Sequence, residues 1–352
     1  MRKLLLLEET TQMEVTLFVA LGLFFLAAIL VVSSGVFLAK SGDVIADESG
    51  LGQVWVGSLL VAGATSLPEL VTNISAVRLD APSLAAGNIF GANMLNMATF
   101  STLVIVLGGT AIFTKLMPLH KWVAGVALIM TIIAVAATFI GPTEKLFGLA
   151  PVGIIIIGAY VVSSRFLYGK SLEVNEVPSG SSDEDESVEN NSSGSLKKNW
   201  IIFAISATII FVSAPLLAFS SDRIADITGI SQGFVGVLAV AIVTTLPELT
   251  SAVTSFRIGS PDLGVGALFG SNAFNIAALG VADLFYTQGS LFASLDSSHL
   301  VAGAFAILLM SLALTQLVQR RPMQLFSLRT PSPIALILIY VIGLFLVFQM
   351  GL

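Results

Sequence analysis

The sequence contains no cysteine and only two histidines. A disulfide framework or a thiolate metal site cannot form, and a histidine-rich metal site is not expected. Charged residues are also scarce, at 11% of the 352 residues, whereas a soluble domain has about 25%. This scarcity excludes an ordinary water-soluble enzyme, and the net charge of −6 argues against a nucleic-acid partner.

Apolar residues, in contrast, are abundant and make up 55% of the chain. A helix that crosses a bilayer needs about 20 mostly apolar residues, whereas β-barrel strands are shorter and alternate in polarity. The long, continuously apolar runs therefore predict an all-α polytopic membrane protein with ten transmembrane helices in the lipid bilayer. The predicted spans are 15–38, 53–79, 83–108, 119–140, 147–166, 199–220, 232–258, 262–285, 298–318 and 331–350.

Residues 170–198 form a polar, acidic segment between the first five and the last five spans. Its composition predicts a disordered linker between a first unit, residues 1–169, and a second unit, residues 199–352; calcium sensing by its acidic run is the alternative interpretation. Eleven of the sixteen Lys and Arg residues lie on the linker's side of the membrane. Because such residues are enriched in cytoplasmic loops, we expect a multi-pass cell-membrane protein with a cytoplasmic linker and both termini outside.

The chain repeats itself at an offset of 179 residues. Residues 57–96 align without a gap on residues 236–275, and seventeen of the forty positions are identical, many of them polar. Because each unit holds an odd number of spans, the second must enter the membrane from the opposite side. The sequence therefore predicts two inverted five-helix repeats, an arrangement that recurs in secondary transporters with the substrate bound where the repeats meet.

Glu69 and Glu248 are the only formal charges near the middle of a predicted span, and the repeat relates them. Buried carboxylates of this kind mark ion pathways or proton relays. Each follows a proline, which removes one backbone donor and frees a nearby carbonyl for a cation. Together the repeats supply an all-oxygen set of candidate ligands that suits Ca²⁺, and Na⁺ as well. Besides the glutamates it includes the amides of Asn96 and Asn275 and the hydroxyls of Thr65, Ser66, Thr244, Thr245 and Ser271.

Two smaller patterns indicate structural roles. The pairs Gly87/Gly91 and Gly266/Gly270 have the GxxxG spacing of packed transmembrane helices. His120 and His299 lie at the ends of predicted spans, where we expect them to be interfacial.

The segments GATSLPEL…GNIFGANMLN and VTTLPEL…GALFGSNAFN closely resemble the two repeats of the cation/Ca²⁺ antiporter superfamily, and in particular its prokaryotic Na⁺/Ca²⁺ exchanger branch. The resemblance implies antiport of several Na⁺ for one Ca²⁺, both ions being substrates. It implies neither an enzyme nor a cofactor, and no obligate protein partner. By this resemblance Glu69 and Glu248 are central ligands, Ala62 and Ala241 add main-chain carbonyls, and the first and sixth spans slide across the core.

Two positions depart from that family. Related proteins carry Asp where this chain has Asn275 and Ser where it has Ala92. The site is thus one charge and one possible ligand poorer, which leaves the ion stoichiometry and any K⁺ dependence open.

Three alternatives use the same residues or the same composition. An H⁺/Ca²⁺ exchanger would carry protons on the two glutamates, and a passive cation channel would conduct without counter-transport. An intramembrane aspartyl protease needs two Asp within spans, and no predicted span has one near its middle.

Overall fold

The computed structural model describes residues 16–78, 80–109, 111–141, 151–175, 189–228, 245–295, 297–322 and 332–350. Those ranges are organised by helices and contain no β-strand. We label the main helices α1 to α10 in chain order. They span Leu17–Glu48, Gln53–Arg78, Pro82–Gly108, His120–Ile140, Pro151–Asn175, Glu189–Thr228, Leu246–Arg257, Pro261–Phe285, Ser297–Gln319 and Pro333–Gln349.

Eight helices of the described ranges are long and apolar enough to cross a membrane. The predicted all-α membrane fold is therefore confirmed. The other two helices are α10, with 17 residues, and α7, with 12 residues. The predicted span 232–258 begins within residues 229–244, which lie outside the described ranges, so the count of ten spans stays a prediction.

Helices α5 and α6 extend beyond the predicted spans into the segment 170–198. Helix α5 continues to Asn175 and α6 begins at Glu189. Helix nucleation is the costly step, so an apolar helix that has already formed can be prolonged into polar residues at little cost. Residues 176–188, which hold the acidic run, lie outside the described ranges.

Equivalent prolines begin the third helix of each repeat. Pro82 starts α3 and Pro261 starts α8, each in the first helical turn. A proline is tolerated there because the backbone N–H that it lacks would have no partner within the helix. These two helices carry the asparagines of the predicted site.

Helix α8 is the centre of the bundle. Of its 18-residue apolar stretch 89% is buried inside the protein, compared with 17% for that of α5. Helix α8 packs against α2, α3, α4, α5 and α7. The backbone of α2 packs very closely on the first half of α8. A Cβ atom added to Gly270 would lie 2.2 Å from the carbonyl oxygen of Ser58, and one added to Gly266 would lie 2.9 Å from that of Val54. The predicted packing role of Gly266 and Gly270 is thus confirmed, whereas a Cβ on Gly91 would meet no described atom within 4 Å.

Helices α1 and α6 pair with each other at one side of this core. Helix α1 also packs on α7 of the second repeat, and α6 packs on α2 of the first. The glutamate-bearing helices α2 and α7 therefore each contact a long outer helix from the other half of the chain.

Candidate functional site

The two glutamates lie on α2 and α7, and both side chains are 2% exposed. Glu69 follows Pro68, which lies inside α2 and leaves the carbonyl of Ala64 without its usual helical donor. The same helix passes through a widened π-helical stretch, Val56–Val61, just before this point. Such stretches are frequent at functional sites. Glu248 lies in the first turn of α7, directly after Pro247.

A hydrogen bond joins these two helices at the glutamates. The hydroxyl of Ser66 on α2 donates to Oε1 of Glu248 on α7 over 2.8 Å. The neighbouring hydroxyl of Thr65 donates instead to its own helix, 3.0 Å from the carbonyl oxygen of Val61 and 3.2 Å from that of Ala62. Because Ser66 stands one helical turn before Glu69, the Ser66 bond brings the glutamate-bearing turn of α2 next to Glu248. Residues 62–69 of α2 and the start of α7 therefore build one site.

Four asparagines cross-link α3 and α8 next to the glutamate helices. The side-chain amide of Asn96 donates to Oδ1 of Asn272 over 2.9 Å, and that of Asn275 donates to Oδ1 of Asn93 over 3.0 Å. The repeat offset relates Asn93 to Asn272 and Asn96 to Asn275, so the two bonds are reciprocal. All four side chains are at most 2% exposed.

Several oxygen atoms at this site are buried and accept no hydrogen bond from the described residues. They are both carboxylate oxygens of Glu69, Oε2 of Glu248, Oγ of Ser271 and Oδ1 of Asn275. Neither glutamate forms an ion pair with a described Lys, Arg or His. An unsatisfied buried polar group costs about 1–3 kcal/mol, and more when it is charged. A cation bound at the two carboxylates would compensate their charge in place of a basic partner.

The chemistry of this set favours a hard cation. Carboxylate, hydroxyl and amide oxygens are the ligands of Ca²⁺, which takes six to eight of them in flexible geometry. The described residues hold no group of three or more His, Cys, Asp or Glu side chains able to bind a metal. Any ion bound here would therefore use neutral hydroxyl, amide and carbonyl oxygens beside the two carboxylates.

The structure buries every predicted site residue that lies within the described ranges. Ala62, Thr65, Ser66 and Glu69 lie on α2, Asn96 on α3, Thr245 and Glu248 at the start of α7, and Ser271 and Asn275 on α8, all buried. Thr244 and Ala241 lie outside the described ranges. The sequence interpretation missed the roles of Asn93 and Asn272. The available signal was their identity in both repeats, one helical turn before Asn96 and Asn275, which puts them on the same helix face.

The two histidines lie in the first turns of α4 and α9, as expected for span ends, and their interfacial depth stays a prediction. His120 and His299 are 0% and 1% exposed, because each is held by the other half of the chain. His120 Nε2 lies 2.7 Å from Oδ1 of Asp262, and His299 Nε2 lies 2.9 Å from the carbonyl oxygen of Ser83. These contacts are again repeat-related, since the offset of 179 carries His120 onto His299 and Ser83 onto Asp262.

Comparisons with known proteins agree with this arrangement. The chain is 25% identical over 260 residues to the inner membrane protein YrbG of Escherichia coli K12, covering 73% of this chain and 77% of that protein. It is 25% identical over 306 residues to the sodium/calcium exchanger MaX1 of Methanosarcina acetivorans, covering 77% and 83%. The structure of the sodium-calcium exchanger NCX_Mj superposes with a TM-score of 0.69 at 21% identity, covering 93% of this chain and 98% of that one. The last comparison shows a shared fold.

The profile of the family described as sodium/calcium exchanger protein matches residues 19–169 and 198–351, which is most of the chain. This family consists of transporters of ions, not of enzymes, and needs no cofactor. The chain belongs to the sodium/calcium exchanger family of membrane antiporters.

Proposed function

We propose that this protein exchanges Ca²⁺ for Na⁺ across the cell membrane by alternating access, and that both ions bind between Glu69 and Glu248. The observation that carries the proposal is the set of buried oxygens without a hydrogen-bond donor around the two carboxylates. The name of the relative MaX1, a sodium/calcium exchanger, supports the same pair of ions.

Charge balance explains why cations would bind there. Removing two carboxylates from water costs several kcal/mol each unless an opposite charge compensates them. The described residues provide no basic partner for Glu69 or Glu248. One Ca²⁺, or two Na⁺, would neutralise the pair, so one site can serve both ions alternately.

We assign the other predicted residues as neutral ligands. Ser66, Thr65 and the carbonyl of Ala62 lie on the same helix as Glu69, and Ser66 already contacts Glu248. The remaining proposed ligands are Asn96, Asn275, Thr245 and Ser271, with Thr244 and Ala241 completing the second repeat.

We further propose ten spans arranged as two inverted repeats, with the linker in the cytoplasm and both termini outside. The reciprocal asparagine bonds and the two histidine contacts support this arrangement, because each contact of one half has a repeat-related counterpart in the other. The paired helices α1 and α6 contact α7 and α2 of the opposite repeats. They are therefore suitably placed to slide across the ion site and open it to each side in turn.

The decisive experiment is uptake of ⁴⁵Ca²⁺ into vesicles that contain the purified protein. We expect uptake to be driven by an outward Na⁺ gradient and to stay at background with an outward proton gradient. Protein-free vesicles and collapse of the Na⁺ gradient with an ionophore are the controls. Uptake driven only by the proton gradient would replace this proposal with an H⁺/Ca²⁺ exchanger, and uptake that needs no counter-gradient would indicate a channel.

A further inference from the structure

We infer that Asn93, which is not among the proposed ligands, is a positioning residue that aims the carbonyl oxygen of Asn275 at the ion. This inference rests on the proposed ion site. It adds to that site a residue that would act on the ion only through another side chain.

The direction of the Asn93 amide is fixed by the main chain. Both ends of an asparagine amide have nearly the same shape, so its orientation is assigned from its hydrogen-bond partners. Nδ2 of Asn93 lies 3.3 Å from the main-chain carbonyl oxygen of Asn272, which can only accept. The Oδ1 end of Asn93 therefore has to point the other way.

The Oδ1 atom of Asn93 in turn fixes the orientation of the Asn275 side-chain amide. Oδ1 of Asn93 can only accept, and Nδ2 of Asn275 lies 3.0 Å away as its donor. The carbonyl oxygen of Asn275 must then point away from Asn93. If the Asn275 amide turned over, two acceptor oxygens would face each other in a buried site.

The oxygen that is left over has the properties of a ligand. Oδ1 of Asn275 is buried and accepts no hydrogen bond from the described residues. Ser271 lies one helical turn earlier on the same face of α8. Its Oγ atom is also buried and has no hydrogen-bond partner among the described residues. These two oxygens form a row on α8, and Asn93 keeps the amide hydrogens of Asn275 out of that row.

The chain provides its own comparison pair. Asn272 accepts from Asn96 in the repeat-related bond, but Nδ2 of Asn272 is buried and has no described acceptor, so the main chain does not fix its direction as it fixes that of Asn93. No described hydrogen bond joins the side chain of Asn93 to that of Asn96. The effect of Asn93 should therefore depend on the residue at 275 and not on the residue at 96.

A purely structural role for Asn93 predicts something different. If Asn93 only held α3 against α8, its loss would lower the melting temperature and the ion affinity together, and the part of that effect carried by its hydrogen bond to the main chain of Asn272 would persist in Asn275→Ala. A double-mutant cycle separates these cases, because residues that act through each other are not additive.

The experiment measures equilibrium binding of ⁴⁵Ca²⁺ to the purified full-length protein, with the melting temperature recorded for every variant. Asn93→Ala and the volume-matched Asn93→Leu are each made in the wild type, in Asn275→Ala and in Asn96→Ala. We expect Asn93→Ala to weaken Ca²⁺ binding about tenfold, as is typical when a group that orients a metal ligand is removed. It should weaken binding less than about twofold in Asn275→Ala, and the full factor should return in Asn96→Ala.

Equal factors in all three backgrounds would overturn the positioning role while leaving the ion site in place. A wild-type protein that binds no Ca²⁺ would overturn the proposed ion site and this inference together. If Asn93→Ala does not yield folded protein, Asn93→Leu decides by the same comparison.

Discussion

The hydroxyl of Ser66 donates a 2.8 Å hydrogen bond to Oε1 of Glu248, across the boundary between the two halves of the chain. Ser66 stands three residues before Glu69, so the helix that carries one glutamate also contacts the other. Of the four carboxylate oxygens in the pair, this is the only one that does not appear among the unpaired buried atoms of the described residues. The bond thus makes the orientation of the Glu248 carboxylate depend on the position of the helix that carries Glu69.

Ser66→Ala should weaken Ca²⁺ transport by about tenfold or more, because a hydrogen bond to a charged group contributes about 1.5–3 kcal/mol. Ser66→Thr is the matched control, since it keeps the hydroxyl and since Thr245 stands at the equivalent position of the second repeat. The measurement is the initial rate of ⁴⁵Ca²⁺ uptake against Ca²⁺ concentration. Equal kinetics for Ser66→Ala and Ser66→Thr would contradict a role for the hydroxyl.

Glu69→Gln and Glu248→Gln should each abolish Ca²⁺ transport while the protein stays folded. Glutamine keeps the shape of the side chain but removes one charge. Two opposite unit charges about 4 Å apart attract by about 4 kcal/mol at an effective dielectric constant of about 20. A dication is attracted about twice as strongly, so Ca²⁺ should lose more than about a thousandfold in affinity. Glu48→Gln, at the exposed end of α1, is the control and should retain wild-type uptake. Wild-type exchange rates in either site variant, purified and reconstituted, would exclude that glutamate from the site.

The sequence alone singled out the glutamates because a charge in the middle of an apolar span has few structural explanations, and the repeat supplied a second copy of most of the proposed ligands. It did not show where each hydroxyl donates. Thr65 and Ser66 are neighbours on one helix turn, yet the first bonds its own backbone and the second bonds Glu248. That difference depends on which side of α2 faces α7, which the spacing of residues does not specify. The burial of His120 was missed for a similar reason, because its partner Asp262 is 142 residues away.

Gly270→Ala should destabilise the protein strongly. The new Cβ would lie 2.2 Å from the carbonyl oxygen of Ser58 and 2.5 Å from its Cα atom, and both are backbone atoms that cannot rotate away. Overpacking of this kind costs about 1–3 kcal/mol, or more where the backbone must move. The measurement is the melting temperature of the purified protein in detergent. Gly125→Ala is the control, because a Cβ there meets no described atom within 4 Å; equal melting temperatures for the two variants would contradict the close packing of α8 on α2.

Asn275→Asp should alter cation preference more than it alters folding. The substitution adds a negative charge at a buried position of the proposed site, which strengthens the attraction for total positive charge. It also removes the donor that Asn93 accepts from. We expect a changed Na⁺ dependence of Ca²⁺ uptake or a new sensitivity to K⁺, measured by titrating each ion separately. Identical Na⁺ and K⁺ dependence in wild type and variant would place Asn275 outside the ligand set.

The final prediction concerns coupling, because binding alone does not make an exchanger. Without an ion, Glu69 and Glu248 are two like charges in a buried site without described basic partners. Closing the site in that state is strongly unfavourable unless protons bind. With one Ca²⁺ or two Na⁺ the pair is neutral and the outer helices can move across it. The carboxylate pair would therefore both select cations and prevent an empty return step.

Ca²⁺ efflux from loaded vesicles should consequently require Na⁺ or Ca²⁺ on the opposite side. Into a choline medium at neutral pH it should fall to the rate of protein-free vesicles, and it should recover when Na⁺ replaces choline. The measurement is the loss of ⁴⁵Ca²⁺ with time, with the membrane potential held at zero so that charge movement does not limit the rate. Rapid efflux into choline would show that the unloaded protein returns freely. Because the repulsion between the two unpaired carboxylates forbids that step in an antiporter, such efflux would favour a passive cation channel.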